Sequence, residues 1–370
     1  MRITRITVWA VDLPMARPYS LAGGRYYDRL DSTIVRLDTD EGVVGWGEGC
    51  PWGSTYEAAF ARGVRAGVEE LAPTILGLDP RRIDVVYRAM DRALPGHPYV
   101  KSPLDMACWD IASKAAGLPL CDMLGGRTHG RVRLHTSVPS GSVSEIMAEI
   151  DIVREQGYSF HSVKVGGDAE GDIERMRSVD ARMADGEELT FDVNRGWLPA
   201  EAVTALNATR ELRRVVEQPC NDLGQHLQVR RLVSQPLAVD ESLVTMRDML
   251  RIIETDAGEV VGIKLSRVGG LSVARRLRDL CMEAGIRMNI EDTGGTALQA
   301  SAVVHLAQST PEPLRRATWI CYDRLTRNPV EGGAVNIDGW AVAPAEPGIG
   351  AHPDEAALGD PAAIYALDGR

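Results

Sequence analysis

The stretch VVGIKL at residues 260–265 is one of eight short apolar runs that follow one another along the chain. The other seven runs lie at residues 132–138, 161–165, 189–194, 215–218, 237–240, 287–292 and 318–321. The centres of successive runs are 23 to 29 residues apart, with helical stretches between them. One strand and one helix per step of this length predict a closed βα barrel.

An open, doubly wound parallel sheet is the structural competitor of the barrel. Such a sheet usually has a glycine-rich, phosphate-binding turn after its first strand. The sequence after the first run, PSGS at residues 139–142, is a poor match to that turn. We therefore favour an α/β fold of the TIM-barrel type.

The residues before the barrel show a different order of predicted strands and helices. Alternating apolar and polar residues at 1–8 and 34–46 predict a small antiparallel meander. A capping-box spacing at Ser54 predicts a helix from there to about Leu76, and Pro103 in a first turn predicts a second helix that opens at Ser102. Strands followed by helices indicate an α+β domain.

Short strand-like pieces near the C-terminus are expected to return to this N-terminal unit. The predicted organisation is an α+β domain over residues 1–127, completed by residues 326–370, and a barrel domain over residues 128–325. Residues 16–27 form a candidate specificity lid, because Gly23 and Gly24 could act as its hinge.

Composition excludes several classes of protein. The 41 basic and 52 acidic residues give a net charge of −11, which argues against a nucleic acid or an anionic membrane surface as a partner. No apolar run is long enough to span a bilayer. The six cysteines include no Cys-x-x-Cys pair, which predicts reduced, buried thiols and a cytoplasmic protein. Barrels of this size commonly associate, so a homo-oligomer is expected.

Three consecutive runs each place one carboxylate near their C-terminal end: Asp192, Glu217 and Asp240. In a closed barrel such neighbours converge on one point. Three carboxylates without soft ligands suit Mg²⁺, and without a metal they would repel one another or become protonated. The sequence therefore predicts a magnesium site at the mouth of the barrel.

Two lysines, Lys164 and Lys264, stand at the equivalent positions of runs two and six. These runs are four strands apart, so the amines are expected on opposite walls. A lysine near a divalent cation and a second lysine should have a depressed pKa, as a general base requires. This arrangement suits removal of a proton α to a carboxylate, with the metal stabilising the enediolate.

Three further polar residues, Ser162, Asn194 and Glu241, lie close to these positions in sequence and are expected to surround the site. A single charged residue at a strand end is more often a solvated rim residue or a helix cap. A non-catalytic barrel is therefore the alternative of another class. It would predict the loss of one of the five charged residues, and all five are present.

The chain resembles the enolase superfamily and, within it, the group around muconate lactonizing enzyme. The resemblance extends over nearly the whole chain and includes the segment SPLDMACWDI at residues 102–111. It implies an N-terminal α+β cap over a (β/α)₇β barrel. It also implies that Asp192, Glu217 and Asp240 bind one Mg²⁺ per subunit, with Lys164 and Lys264 as the acid/base pair. Where the family often has a first lysine two residues before the second-strand lysine, this chain has Ser162.

A closer resemblance is to members that act on proline derivatives. It rests on four segments: GEGCP at 47–51, GHPYVKS at 96–102, EQPC at 217–220 and EDTGG at 291–295. It implies dehydration of a cyclic amino acid such as cis-3-hydroxy-L-proline by a lyase. The alternatives are an isomerase, either a 2-epimerase or racemase of proline or hydroxyproline betaine, or a muconate-type cycloisomerase.

Four side chains are the candidate substrate contacts under this resemblance: Tyr56, Asp292, Thr293 and Trp319. Asp292 could pair with a ring ammonium, Trp319 could face it through a cation–π contact, and Tyr56 could close over the mouth. Alternatively, Asp292 could cap a helix, Trp319 could belong to the barrel core and Tyr56 could pack within the cap. The tryptophan that such relatives often carry before the two glycines is absent at Thr293.

Overall fold

The computed structural model describes residues 1–21 and 24–367. Its N-terminal part is an antiparallel sheet covered by helices, as the α+β pattern predicts. The elements are β1 (Ile3–Leu21), β2 (Arg25–Thr39), β3 (Val44–Gly49), α1 (Ala61–Ile75), α2 (Ile83–Ala93), α3 (Pro98–Ala116) and α4 (Leu120–Met123). The three strands pair in sequence order, so the predicted meander is confirmed.

One local prediction in this part was wrong, and a second stays a prediction. The helix α1 begins at Ala61 and not at Ser54, because Glu57, the expected box partner, binds Arg267 at 3.2 Å instead. The expected lid at residues 16–27 belongs largely to the paired ends of β1 and β2, with Tyr19 opposite Tyr27. Gly23, half of its expected hinge, lies outside the described residues.

A two-residue strand comes next, and eight parallel strands with helices between them follow it. The elements are β4 (Val132–Arg133), β5 (Thr136–Val138), α5 (Val143–Glu155), β6 (Phe160–Lys164), α6 (Ala169–Asp180), β7 (Glu188–Asp192), α7 (Pro199–Ala208), β8 (Val215–Glu217), α8 (Leu223–Arg230), β9 (Leu237–Val239), α9 (Met246–Glu254), β10 (Val260–Lys264), α10 (Leu265–Val268), α11 (Leu271–Ala284), β11 (Arg287–Glu291), α12 (Ala297–Gln308) and β12 (Arg315–Thr318). Strands β5 to β12 form one sheet in chain order. A parallel bridge from Leu134 to Thr318 closes it, which confirms the modified (β/α)₇β barrel.

The barrel strands bury both faces, so their charged residues are confined to their ends. β6 and β10 are buried along their whole length. The register places Lys164 beside Asp192, Asp192 beside Glu217 and Lys264 beside Glu291. The charged side chains singled out in the sequence therefore meet at one end of the barrel.

The C-terminal residues return to both parts of the molecule. Their elements are β13 (Val330–Gly332), β14 (Trp340–Ala341), β15 (Ala351–Pro353), α13 (Glu355–Leu358) and β16 (Ala363–Ala366). β16 pairs with β1 and β14 pairs with β4. The last strand thus joins the N-terminal sheet as expected, whereas the exact domain boundaries remain predictions.

The N-terminal unit is tied to the barrel by buried polar contacts. Glu48 accepts hydrogen bonds from the Thr296 amide at 3.0 Å and from its hydroxyl at 2.6 Å. The Thr293 hydroxyl donates to the Cys50 carbonyl at 2.7 Å. These contacts fix the cap above the end of β11. All six cysteines are free and buried, and among the described residues no helix is both long and apolar enough to cross a membrane.

Close packing of α3 on β3 depends on glycine. A Cβ at Gly47 would overlap the backbone carbonyl of Pro103. We expect Gly47→Ala to lower the free energy of unfolding by about 1–3 kcal/mol, the usual cost of overpacking. Urea denaturation checks this, with Gly130→Ala as control, since a Cβ there meets no heavy atom within 4 Å. Equal stability of the two variants would contradict the packing argument.

Candidate active site

A cavity of about 440 Å³ lies where the cap meets the carboxyl ends of the barrel strands. Its lining is Tyr19, Leu21, Trp52, Tyr56, His135, Ser137, Ser162, Lys164, Asp192, Glu217, Lys264, Glu291, Asp292, Thr293 and Trp319. Both predicted lysines, two of the three predicted metal ligands and all four predicted substrate contacts are in this set. Aromatic side chains with a few converging polar groups are the lining expected of a site for a small organic molecule.

Three buried carboxylates, Glu217, Asp240 and Glu291, have oxygens within 4.8 Å of one another. This group shares Glu217 and Asp240 with the predicted set, but it contains Glu291 in place of Asp192. Glu291 was missed because it directly precedes Asp292, and the sequence does not reveal which of the two joins the carboxylate cluster. An all-oxygen, carboxylate donor set fits Mg²⁺.

Asp192 has other partners in this structure. Its carboxylate contacts the amine of Lys164 and accepts hydrogen bonds from the Asn194 amide at 2.9 Å and side-chain nitrogen at 3.0 Å. The Asn194 side chain also donates to Glu241 at 3.1 Å. Asn194 and Glu241 therefore surround the site as expected, and Ser162 lines the cavity beside them.

Lys264 stands between two carboxylates and a phenol. Its amine contacts Asp240, lies 2.9 Å from the Tyr56 hydroxyl and lies 3.9 Å from Glu291 Oε1. β6 and β10 are four strands apart, so Lys164 and Lys264 come from opposite walls, as predicted.

Neighbouring carboxylates dominate the pKa of both lysines. Burial lowers the pKa of each amine, but attraction to the carboxylates, chiefly Asp192 for Lys164 and Asp240 for Lys264, raises it above its usual value. The depressed pKa expected beside a bound divalent cation stays a prediction.

The acids carry charge that the lysines do not neutralise. Burial raises the pKa of Glu217 well above its usual value, and repulsion from Asp192, Asp240 and Glu291 adds to the effect. Burial likewise raises the pKa of Glu241 to about 7, and Asp240 adds to that shift. This is the repulsion expected of converging acids without a counter-ion, and it marks where a divalent cation would be favourable.

Arg267 is a second residue that the sequence analysis missed. It is fully buried, donates to Asp240 Oδ1 at 2.6 Å and contacts Glu57 of the cap at 3.2 Å. Its position three residues after Lys264, in α10, was the available signal. It holds Asp240 in place and couples the cap to the barrel.

Two of the predicted substrate contacts, Trp319 and Asp292, already have partners within the protein. Trp319 packs on Trp52 with ring centroids 5.7 Å apart. Asp292 accepts hydrogen bonds from the Ser266 amide and hydroxyl, the Thr293 amide and the Gln299 side chain. Its carboxylate is thus satisfied within the protein, which favours the structural role left open for it.

This fold and site define an enzyme built as a capped (β/α)₇β barrel. The sequence matches the family described as mandelate racemase / muconate lactonizing enzyme, N-terminal domain, over residues 3–125, and the family described as enolase C-terminal domain-like over residues 145–357. The chain therefore belongs to the enolase superfamily. Its relatives in that superfamily are lyases and isomerases, which confirms the predicted class and disfavours a non-catalytic barrel.

Individual relatives match most or nearly all of the chain. Cis-3-hydroxy-L-proline dehydratase of Roseibium aggregatum is 39% identical over 99% of this chain and 100% of its own. N-succinyl-L-Arg/Lys racemase of Bacillus cereus is 32% identical over 84% and 85%. A crystal structure of an enolase-superfamily member from Roseovarius nubinhibens, complexed with magnesium, has 50% identity and a TM-score of 0.95 over 99% and 100%.

Glu217 should cost stability when no cation is present. Burial raises the pKa of Glu217 in the folded state above its value in the unfolded state. Its contribution to the free energy of unfolding is therefore fully present below the unfolded-state pKa and is lost as the pH rises through the folded-state pKa. We expect Glu217→Gln to raise the free energy of unfolding at neutral pH in a chelator. In Mg²⁺ at a hundred times its dissociation constant, the wild type should gain about 2.7 kcal/mol and the variant much less.

Urea denaturation with and without Mg²⁺ measures both effects. Asp256→Asn is the control, because that carboxylate is 89% exposed and pairs with Arg230 outside the carboxylate cluster. A Glu217→Gln variant that is less stable than the wild type in chelator would contradict the repulsion argument.

Proposed function

We propose that the protein is a Mg²⁺-dependent dehydratase of a cyclic amino acid such as cis-3-hydroxy-L-proline. The observation that carries the proposal is the placement of Lys164 and Lys264 on opposite walls of one cavity, with carboxylates between them. The full-length similarity to a cis-3-hydroxy-L-proline dehydratase supports the choice of substrate.

Asp192, Glu217 and Asp240 would hold one Mg²⁺ per subunit, and the ion would supply the positive charge that an enediolate needs. For Asp192 this requires release of Lys164, whose amine it now contacts. The freed amine would then face the substrate, since Lys164 is the last residue of β6 and lines the cavity.

The stereochemistry of the substrate matches two amines on opposite walls. In cis-3-hydroxy-L-proline the hydroxyl and the carboxylate share one face of the ring, so the α-hydrogen and the hydroxyl lie on opposite faces. One lysine would take the α-proton, and the other would donate a proton to the departing hydroxyl as water. The enamine that remains tautomerises to a cyclic imine.

A second candidate function is 2-epimerisation of proline or hydroxyproline betaine. The aromatic wall of Trp52 and Trp319 favours it, because such a wall attracts a quaternary ammonium. Here one lysine removes the α-proton and the other returns a proton to the opposite face.

Loss of either amine should abolish net reaction. We expect Lys164→Ala and Lys264→Ala each to lower dehydration of cis-3-hydroxy-L-proline by about a hundredfold or more, as for removal of a general acid or base. NMR in D₂O with Mg²⁺ measures α-proton exchange and product together, and it distinguishes dehydration, epimerisation and cycloisomerisation across a panel of substrates.

Lys114→Met is the matched control. Lys114 also pairs with a buried aspartate, Asp110 at 2.7 Å, but it lies outside the cavity. Activity should persist in this variant. Absence of exchange with every carboxylate offered to the wild type, or full exchange in both alanine variants, would disprove the mechanism.

Trp319 separates the two candidate substrates. If it binds a quaternary ammonium, Trp319→Leu should raise KM for proline betaine by about thirtyfold, the equivalent of a cation–π contact worth about 2 kcal/mol. Steady-state kinetics on the betaine and on cis-3-hydroxy-L-proline measure this. Trp340→Leu is the control, since Trp340 also stacks on a cation, Arg131, outside the cavity. Equal changes for both substrates would assign Trp319 to barrel packing.

We also propose a cytoplasmic homo-oligomer that acts on a small-molecule carboxylate and binds neither nucleic acid nor a membrane. Reduced, buried thiols support the location, and the barrel fold supports the association.

A further inference from the structure

Glu291 is a buried carboxylate that the proposed chemistry leaves without a role. It is the last residue of β11, is 4% exposed and pairs in register with Lys264. Its Oε1 lies 3.9 Å from the Lys264 amine, and its Oε2 lies 3.4 Å from His135 Nε2. Glu291 therefore bridges a buried histidine and one of the two proposed acid/base groups.

The other carboxylate beside Lys264 is already shared. Asp240 Oδ1 accepts from Arg267, and its Oδ2 contacts Lys264. Asp240 is also a proposed metal ligand, so its oxygens cannot serve the amine alone. Glu291 stands on the neighbouring strand on the other side of Lys264, where its carboxylate attracts the amine across 3.9 Å.

Within residues 1–21 and 24–367, which the structure describes, Lys164 has no equivalent of Glu291. On the side away from Asp192, its strand pairs with β5, whose residues Thr136, Ser137 and Val138 carry no charge. Only one of the two amines is thus flanked by acids on both neighbouring strands, so loss of Glu291 should affect one face of the substrate.

We propose that Glu291, steadied by His135, is a positioning residue that directs the Lys264 amine at the substrate α-carbon. The inference rests on the proposed function for its chemistry. It assigns Glu291 neither to the metal, despite its closeness to Glu217 and Asp240, nor to a substrate ammonium.

Face-selective exchange tests this assignment. L- and D-proline with Mg²⁺ in D₂O present their α-protons to opposite walls, and Lys164→Ala and Lys264→Ala identify which enantiomer depends on which amine. Glu291→Gln should slow the Lys264-dependent exchange about tenfold or more, since small misplacement of a reacting group has effects of this size. The Lys164-dependent exchange should stay near wild type, and Glu291→Asp should restore part of the loss.

Asp292→Asn is the matched control. It removes the adjacent carboxylate, whose partners are all protein groups, so any effect should fall equally on both enantiomers. Three results would overturn the proposal: equal slowing of both enantiomers by Glu291→Gln, a rise in KM at unchanged kcat, or a loss of Mg²⁺ affinity in calorimetry as large as that in Glu217→Gln.

Chemical labelling gives a readout that needs no substrate. The chain has four lysines, so carbamoylation by cyanate can be followed at each by peptide mass spectrometry. Glu291→Gln should raise labelling of Lys264 relative to Lys164, because the amine has lost an ionic partner. An unchanged ratio would overturn the proposal. If wild-type protein exchanges the α-proton of no carboxylate in the panel but the ratio rises, the proposed function fails and the contact between Glu291 and Lys264 stands.

Discussion

Charge buried at the carboxyl ends of the barrel strands is the constraint on which the rest of the structure depends. From β6 to β11 the strand ends carry, in order, an amine, three acids, an amine and an acid: Lys164, Asp192, Glu217, Asp240, Lys264 and Glu291. Towards each end of this row an amine stands beside an acid and the two can form an ion pair, whereas the acids in the middle of the row repel one another. Four carboxylates against two amines leave an excess of two negative charges, the charge that one divalent cation balances.

The cap completes this site as well as covering it. Tyr56 reaches the Lys264 amine from a cap loop, and Glu57 reaches Arg267, which holds Asp240. Because the charged side chains at the barrel mouth are buried, their interactions are stronger than they would be in water. The same contacts explain why the sequence motif at Ser54 forms no helix start: its glutamate has a more favourable partner in the barrel.

The barrel and most of the site could be predicted because their physical causes are local in sequence. Eight apolar runs at a regular step specify parallel strands, and a charged residue that ends such a run must face the mouth. Glu291 could not be separated from Asp292 in this way, because which neighbour points inward depends on where the strand ends. Arg267 was also missed, since it reaches Asp240 from the turn of α10 and its partner is distant in sequence.

The two candidate reactions need the same residues at the strand ends. They differ only in whether the substrate carries a hydroxyl on the ring face opposite the α-hydrogen. A hydroxyl on the far face can leave when the second amine protonates it, whereas a ring without that group can only take the proton back on the new face. The amines and acids therefore fix the proton abstraction but not its product. Selection must come from groups beside the rest of the ring, and the aromatic side chains that line the cavity are Tyr19, Trp52, Tyr56 and Trp319. Three of the four belong to the cap, so divergence of product within one barrel is expected to follow changes in the cap more than changes in the strands.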